Sequence, residues 1–381
     1  MRKLLLYNGF SNLMLEIVVW MIYLKSQGWT ITQIALLEGF FTICQVIFEL
    51  PSGLISDRIG HKKALLLGET LCFIYLLAYF VPKIHILLYI SFLLFALGLA
   101  LISGTDISLL YESLSSKEKQ NYLKYASVFT AVGVLATALG NFSGGWIAQY
   151  SWTLLFILGL SGRAIAFLLC TQIDTKNLIT TEEDSKTFKL LLAELRTFFL
   201  REKKALPLLA TTCFSATAVT ISYQYGPLIL ETLKLNVSLV STIFGILSFL
   251  GAIAVFFTYR LSKIIQEDFL VWSLQSVSLV LFALFLEQKL SIILLSLVSV
   301  NVVYEIWNVI LENKLQALAY ANVRATIISV SNLMISALLT TASFLIGALG
   351  EKIALVNIVG CLNVFLLASA LLSFYLYQKL A

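Results

Sequence analysis

A chain of 381 residues is long enough for several soluble domains, but its composition excludes a water-soluble fold. Apolar residues make up 59% of the chain and charged residues only 12%, against roughly 25% charged residues in soluble proteins. So few charges cannot cover the surface of a soluble protein of this size. We therefore expect an all-α membrane protein in which a lipid bilayer surrounds most of the chain.

The polar residue types also exclude several kinds of function. The chain has 2 histidines and 5 scattered cysteines, which give neither a metal-ligand spacing nor a disulfide framework. No basic tail or basic patch with interleaved aromatic residues points to nucleic acid. We expect no enzyme activity, no metal and no cofactor. Because the sequence contains no nucleotide-binding motif, we expect any energy that its function needs to come from an ion gradient.

The apolar stretches define the membrane-spanning pattern. A spanning helix needs about 20 residues, and the first stretch continues past Glu16 without a small-residue cleavage site, so it is predicted to be retained. Twelve spans are predicted at 4–24, 32–55, 64–82, 86–113, 125–148, 152–173, 205–227, 236–259, 269–286, 290–314, 325–349 and 352–377.

The distribution of basic residues predicts the orientation. Of the 26 lysine and arginine residues, 20 fall in the termini and loops on one side of this twelve-span arrangement and 5 in the loops on the other. Basic loops stay on the cytoplasmic side. We therefore predict a multi-pass protein of the cell membrane with both termini in the cytoplasm.

One charged segment divides the chain into two halves. Residues 174–204 contain apolar residues at helical spacing with charges between them, which is typical of an amphipathic helix on a membrane surface. Weak sequence matches between the halves, such as Glu112 with Glu312, favour two parallel six-helix repeats. The predicted domains are a bundle at 1–173, a linker at 174–204 and a second bundle at 205–381.

The loop between spans 2 and 3 carries a recognisable motif. It reads Gly53-Leu-Ile-Ser-Asp57-Arg58-Ile-Gly60-His61-Lys62-Lys63. This resembles the signature loop of the major facilitator superfamily, glycine–x–leucine–x–aspartate–arginine–x–glycine–arginine–lysine, with histidine in place of the second arginine. Gly53 is expected to let two helices approach closely, and Gly60 to permit a tight turn. The predicted gating motif is Gly53, Asp57, Arg58, Gly60, Lys62 and Glu112, in which we expect Asp57, Arg58 and Glu112 to form a network at the inner face.

Span 5 carries small residues at helical spacing, at Gly140, Gly144 and Gly145. Small residues four apart let helices pack without side chains between them. The pattern resembles the antiporter motif of the same superfamily, with Asn141 in place of its proline, although ordinary helix packing explains the spacing equally well. The resemblance to drug:proton antiporters implies export.

Ionisable residues inside spans are costly, at roughly 2.5–3.5 kcal/mol near the bilayer centre, and are a sign of function. Glu16, Asp106 and Glu305 lie in predicted spans 1, 4 and 10, and Arg163 lies in span 6. In the superfamily that the motifs resemble, spans 1, 4, 7 and 10 line the central cavity. We expect Glu16 to exchange a proton, because desolvation favours the neutral form, and Arg163 to be a structural counter-ion.

Amide and aromatic residues complete the predicted site. Asn301, Glu305, Asn308 and Glu312 share a helical face by their spacing, although Glu312 is expected to be a structural partner of Arg260 or Arg324. Aromatic side chains on spans 1, 7 and 10 favour an amphipathic or cationic ligand over a sugar. The predicted proton-coupling and cavity residues are Glu16, Asp106, Glu305, Asn301, Asn308, Tyr223 and Trp307.

These observations predict a secondary transporter that exports a hydrophobic, amphipathic or cationic small molecule in exchange for protons by alternating access. The expected partners are the small-molecule substrate, protons and the lipid bilayer, and we expect a monomer. Uptake of a small metabolite or translocation of lipid by the same fold is the alternative within transport. A membrane sensor that transports nothing is the alternative of another class.

Overall fold

The computed structural model describes residues 2–173, 197–320 and 324–380, without the side chains at positions 50, 54, 57, 116, 117, 123 and 324–326. Helices are the regular secondary structure of these residues. The amphipathic helix predicted in the linker falls mainly on residues 174–196, outside the described residues.

The helices follow the predicted spans closely. In the first part of the chain they are α1 Arg2–Asn12, α2 Trp20–Ser26, α3 Ile31–Ile59, α4 His61–Leu77, α5 His85–Ile102, α6 Thr105–Ser113, α7 Ser116–Lys119, α8 Tyr122–Tyr150 and α9 Trp152–Thr171. In the second part they are α10 Ala205–Thr232, α11 Val237–Ile264, α12 Glu267–Leu284, α13 Leu290–Val298, α14 Tyr304–Leu318, α15 Arg324–Leu349 and α16 Leu355–Leu380.

Within the described residues, 11 helical stretches are long and apolar enough to cross a membrane. The all-helical membrane fold is thereby confirmed, and these stretches correspond to predicted spans 2 to 12. The first span differs from its prediction as one helix over 4–24. It consists of α1 and α2, and residues 13–19 between them are not helical.

The break in the first span has a local physical basis. Ile17, Val18 and Val19 form a β-branched run, which lowers helix propensity. The carbonyl of Glu16 accepts hydrogen bonds from the backbone nitrogens of Val19 at 2.9 Å and Trp20 at 2.8 Å. Irregular backbone at membrane depth is tolerated where protein buries it, and the side chains of Glu16, Val18 and Val19 are buried here.

The described residues form two compact units. The first contains residues up to 173 together with Leu230–Phe249, and the second contains residues 197–229 together with residues from Leu250 onward. Helix α11 therefore contributes its first half to the first unit and its second half to the second. The two compact units therefore divide within α11, whereas the predicted bundles divide at the linker.

Each unit has its own apolar core. In the first unit, Tyr7 of α1, Leu65 of α4, Leu109 of α6 and Phe129 of α8 are buried together. In the second unit, the corresponding core combines α10, α12, α14 and α16, and contains Leu209, Val271, Trp307, Leu311 and Phe374. These cores hold the helices that carry the candidate functional residues.

Candidate functional site

Two of the predicted acids follow an interruption in their helix. In span 4, α5 ends before Ser103 and Gly104, and Gly104 has a left-handed φ of 75° that suits glycine. In span 10, a π-helical turn at Ser299–Val303 separates α13 from α14. Asp106 and Glu305 come directly after these interruptions. Such turns within helices occur frequently at functional sites.

Asp106 lies at a cavity of about 320 Å³ in the first unit. Helices α1, α6, α8 and α11 supply its lining, and Asp106 is the one charged side chain among the described lining residues. Its carboxylate accepts a 2.8 Å hydrogen bond from the backbone nitrogen of Ile107 and makes no ion pair in the described part of the chain. The lining is formed by Asn8, Asn12, Asp106, Ile107, Phe129, Thr130, Gly133, Val134, Thr137 and Ser248.

Most hydrogen-bond donors around this cavity already have partners within the protein. The amide nitrogen of Asn8 donates to the carbonyl of Phe129 at 2.6 Å, and that of Asn12 donates to the side-chain oxygen of Asn8 at 2.9 Å. The hydroxyl groups of Thr137 and Ser248 donate to backbone carbonyls of their own helices. Among the lining groups, the carboxylate of Asp106 is the strongest hydrogen-bond acceptor.

The second unit has an acid-lined cavity of its own, of about 120 Å³. Glu312 is the one charged side chain among its described lining residues, and Asn308 donates a 3.0 Å hydrogen bond to the Glu312 carboxylate. Tyr304, Ser331 and Asn332 add further polar groups to the lining. Of the predicted cavity residues, Asn308 is therefore placed at a cavity wall, next to an acid that was not in the predicted set.

Glu305 and Asn301 lie near this region but not in the cavity lining. The Cγ atom of Glu305 is 3.4 Å from the position that a Cβ on Gly251 would take, so Glu305 packs closely on α11. The amide of Asn301 donates to the carbonyl of Leu297 at 2.7 Å, across the π-helical turn. The amide of Asn301 thus has a partner within the protein, whereas for Glu305 the close contact is that of its Cγ atom with α11.

The two predicted cavity aromatics are placed differently. Trp307 is 0% exposed and belongs to the apolar core of the second unit, where its ring meets Tyr304 edge-on. Its burial corrects the expectation that it faces a ligand, because the side of α14 that carries Trp307 faces α10, α12 and α16. Tyr223 is half-buried on α10 and is not among the described residues that line either cavity.

Glu16 lies inside the first unit rather than at the cavity wall. It is 2% exposed, and a Cβ on Gly159 of α9 would lie 3.9 Å from its Oε2 atom. Arg163, one turn further along α9, forms a 3.1 Å ion pair with Glu69 of α4. The structure thus brings Glu16 next to the predicted counter-ion, but it separates Glu16 from the cavity that Asp106 lines.

The residues of the gating motif do not form the expected network in full. The side chain of Asp57 lies outside the described part, and Arg58 is exposed. Glu112 forms an ion pair with His61, whose Nδ1 is 2.7 Å from Oε1. Lys62 donates to the carbonyls of Thr171 and Ile173 at the end of α9, at 2.7 and 2.6 Å.

The two glycines of this motif behave differently. Gly60 has a φ of 90° between α3 and α4, a conformation that suits glycine, as the tight turn requires. No atom lies within 4 Å of the position that a Cβ on Gly53 would take. The close helix approach expected at Gly53 is therefore not seen, because Gly53 is exposed at this point of α3.

The span 5 glycines contact the broken first span. A Cβ on Gly140 would lie 3.0 Å from the carbonyl oxygen of Met14, and a Cβ on Gly144 would overlap the carbonyl oxygen of Leu15. Gly145 faces α11, where its backbone nitrogen donates to the Ser241 hydroxyl at 2.8 Å. The same hydroxyl donates to the carbonyl of Asn141, so it is inserted between two groups that ordinarily bond to each other in a helix.

Asn8 and Asn12 are the cavity residues that sequence reasoning missed. Their signal is visible in the sequence, because two asparagines four apart on an apolar membrane helix share one face. The described residues include no group of three or more His, Cys, Asp or Glu side chains that could hold a metal ion.

The described residues form a multi-pass membrane protein whose helices line polar cavities. The family model of the Major Facilitator Superfamily matches residues 4–343. The chain therefore belongs to the major facilitator superfamily of secondary transporters.

One curated relative is the uncharacterized MFS-type transporter YxaM of Bacillus subtilis (strain 168). It is 23% identical over 259 residues, which cover 66% of this chain and 63% of that protein. The match thus spans slightly less than two thirds of the relative's length.

Several solved structures have the same fold. The nucleoside transporter NupG superposes with a TM-score of 0.78 at 11% identity, covering 99% of this chain and 97% of that one. A bacterial homologue of the human lysosomal transporter Spinster gives 0.72 at 16% identity, covering 100% and 96%. A D-xylose-proton symporter gives 0.70 at 13% identity, covering 97% and 94%.

Proposed function

We propose that this transporter exports a cationic amphipathic small molecule in exchange for protons, by alternating access. The observation that supports the proposal is the position of Asp106, the one charged side chain among the described lining residues of a 320 Å³ cavity. Small-molecule sites are typically about 300–1,000 Å³. A carboxylate without a cationic partner in such a cavity favours a ligand that carries a positive charge.

The hydrogen-bonding pattern points to the same kind of ligand. Asn8, Asn12, Thr137 and Ser248 each donate a hydrogen bond within the protein, and the carboxylate of Asp106 offers a strong acceptor to a ligand that carries donors. A primary or secondary ammonium group supplies both donors and charge. Phe129, Ile107 and Val134 offer apolar surface next to Asp106, which suits an organic body attached to that ammonium group.

The arrangement in the membrane belongs to the same proposal. The chain forms two six-helix bundles, at 1–173 and 205–381, joined by the linker 174–204 with its amphipathic helix. Both termini lie in the cytoplasm of a cell whose plasma membrane holds the protein as a monomer. The excess of basic residues in the loops on that side supports this orientation.

A second candidate function is uptake of a polar metabolite. Five uncharged polar side chains line the Asp106 cavity, namely Asn8, Asn12, Thr130, Thr137 and Ser248. Two of the solved relatives are, by name, a nucleoside transporter and a D-xylose-proton symporter. A ligand rich in hydroxyl groups would donate to the same acceptors, without using the charge of Asp106.

The test compares a lipophilic primary ammonium compound with the neutral alcohol of the same carbon skeleton. Both are offered, beside uridine and D-xylose, to inside-out and right-side-out vesicles with an imposed pH gradient. We expect the ammonium compound alone to be concentrated, and only in inside-out vesicles. Concentration of uridine, xylose or the alcohol without the ammonium compound would contradict cation export.

A further inference from the structure

The first unit contains a buried ionic cluster that the substrate cavity does not use. Arg163 Nη1 lies 3.1 Å from Oε2 of Glu69 and 3.5 Å from the hydroxyl of Ser11. Ser11 donates a 2.5 Å hydrogen bond to the other carboxylate oxygen of Glu69. All three side chains are at most 4% exposed. Both carboxylate oxygens of Glu69 therefore have a partner, one in Arg163 and the other in Ser11.

Glu16 is the second acid of this cluster, and it is held far less firmly. Arg163 acts on its carboxylate electrostatically, and the backbone of Glu16 itself donates a hydrogen bond to it, but within the described residues no ion pair or hydrogen bond from another side chain reaches that carboxylate. The second guanidinium nitrogen of Arg163, Nη2, is buried and has no hydrogen-bond partner. A buried donor without an acceptor is costly, and an ionised Glu16 would supply the acceptor.

The charges of the cluster do not balance when both acids are ionised. Two carboxylates face one guanidinium group, and the other titratable groups that interact with Glu16 are Cys72, Tyr75 and Tyr79 of the third span, of which Tyr75 and Tyr79 also interact with Glu38. Thiol and phenol groups are neutral at ordinary pH. One bound proton therefore brings the cluster to neutrality in an environment where net charge is strongly disfavoured.

We infer that Glu16, Glu69 and Arg163 form the proton-binding site of the transport cycle, separate from the substrate cavity, and that Glu16 is the carboxyl group that gains and loses the proton. The inference rests on the proposed proton coupling. In this arrangement the cation and the proton do not compete for one carboxylate, because the cation binds at Asp106 and the proton binds at Glu16. Exchange between them is then a coupling between two sites.

The path between the two sites runs through the first span and α8. Glu16 lies in the non-helical segment 13–19, whose Met14 and Leu15 carbonyls contact Gly140 and Gly144 of α8. Helix α8 lines the cavity from Phe129 to Thr137, and α1 adds Asn8 and Asn12. When Glu16 loses its proton and moves toward Nη2 of Arg163, the segment and the helix packed on it must shift together.

The first test measures proton release when the lipophilic ammonium compound binds to the purified protein in weakly buffered detergent solution. We expect the wild type to release protons. Glu16→Gln should bind the compound with a Kd within about threefold of wild type and release none. Glu38→Gln removes another buried acid of the first unit, and proton release that Glu38→Gln abolishes while Glu16→Gln preserves it would contradict the assignment to Glu16. Asp106→Asn should weaken binding, but the protons released per bound molecule should be unchanged at saturation.

A second measurement uses the unaltered protein, so it does not depend on how variants fold. Dicyclohexylcarbodiimide reacts with protonated carboxyl groups in apolar surroundings, and mass spectrometry locates the modified peptide. We expect labelling at Glu16, not at Glu69, and a rate that falls as pH rises. Labelling confined to Asp106 or to Glu38, or proton release that Asp106→Asn abolishes and Glu16→Gln preserves, would overturn the inference.

The outcomes separate this inference from the proposed function. Binding of the ammonium compound without proton release would contradict the proton site and leave cation transport standing. Proton-driven movement of xylose or uridine that Glu16→Gln abolishes would contradict the cation substrate and support the proton site.

Discussion

His61 at the start of α4 and Glu112 near the end of α6 form an ion pair 2.7 Å long. In the second unit, the start of α12 and the end of α14 are joined in the same way, but the acidic residues lie at the start of α12 and the basic residue at the end of α14. There Lys314 near the end of α14 contacts Glu267 at 3.1 Å and Asp268 at 3.0 Å at the start of α12. Each unit thus links its third span to its fourth by opposite charges, and only the first of these links uses a histidine.

The histidine makes the first link sensitive to pH. The contact with Glu112 is an ion pair only while both imidazole nitrogens carry protons, whereas a neutral imidazole can keep a hydrogen bond but no charge attraction. The arginine usual at this position in the superfamily's signature loop stays charged. We predict that His61→Arg flattens the alkaline side of the pH profile of transport and changes stability by less than about 1 kcal/mol, as expected for a partly exposed pair.

The measurement is the transport rate in vesicles at a constant pH gradient and varied absolute pH. His85, the other histidine of the chain, stacks on Trp29 and makes no ion pair in the described residues, so His85→Gln is the matched control. An alkaline side that falls equally in wild type and His61→Arg would show that this pair does not set the pH response.

The contact between span 5 and the broken first span should be intolerant of a single methyl group. A Cβ on Gly144 would overlap the Leu15 carbonyl, and backbone cannot move aside as a flexible side chain can. Overpacking of this kind costs about 1–3 kcal/mol. We predict that Gly144→Ala lowers the thermal unfolding temperature in detergent. Gly162→Ala is the control, since no atom lies within 4 Å of its Cβ position, and equal melting of both variants would argue against the contact.

The Arg163–Glu69 pair should show strong coupling in stability. Removing one partner of a buried pair typically costs about 3–5 kcal/mol, because the other charge remains buried without compensation. We predict that Arg163→Met destabilises the protein in this range and that Arg163→Met combined with Glu69→Gln recovers a large part of the loss. A double-mutant cycle of unfolding in detergent measures the coupling, and additive effects of the two changes would contradict it.

The span boundaries were predictable because hydropathy and helix length are local properties of the chain. The predicted spans 2 to 12 each correspond to a helical stretch in the structure, within a few residues at most ends. The break at residues 13–19 was not predictable by the same means, because the apolar run continues through it. Besides the local β-branched run, the break packs its backbone against Gly140 and Gly144 of α8, more than a hundred residues away in the chain.

The partners of the polar residues were the least predictable part of the site. Glu112 was expected to pair with Arg58, the arginine of the signature loop, but the fold brings it to His61, three residues further on. Trp307 was assigned to a cavity by its place in span 10, yet the rotation of α14 turns it into the core. Sequence spacing fixes which residues share a helix face, but not which neighbour that face meets.

The last prediction concerns which acid recognises the substrate. Asp106 and Glu305 follow the helix interruptions of spans 4 and 10, but Asp106 lines a cavity with unengaged acceptors, whereas Glu305 packs closely against Gly251 of α11. A charge-assisted hydrogen bond contributes about 1.5–3 kcal/mol, which corresponds to roughly 10- to 100-fold in affinity. We predict that Asp106→Asn weakens binding of the ammonium compound by this factor and leaves binding of the neutral alcohol nearly unchanged.

Glu305→Gln serves as the matched control, because it removes one acid at the equivalent place in the other half of the chain. We expect it to change the Kd of the ammonium compound by less than about threefold, well under 1 kcal/mol. Tryptophan quenching and isothermal titration on the purified variants give these constants directly. A larger loss of cation affinity in Glu305→Gln than in Asp106→Asn would move the substrate site to the second unit, because the charge that attracts the cation would then be the acid of span 10.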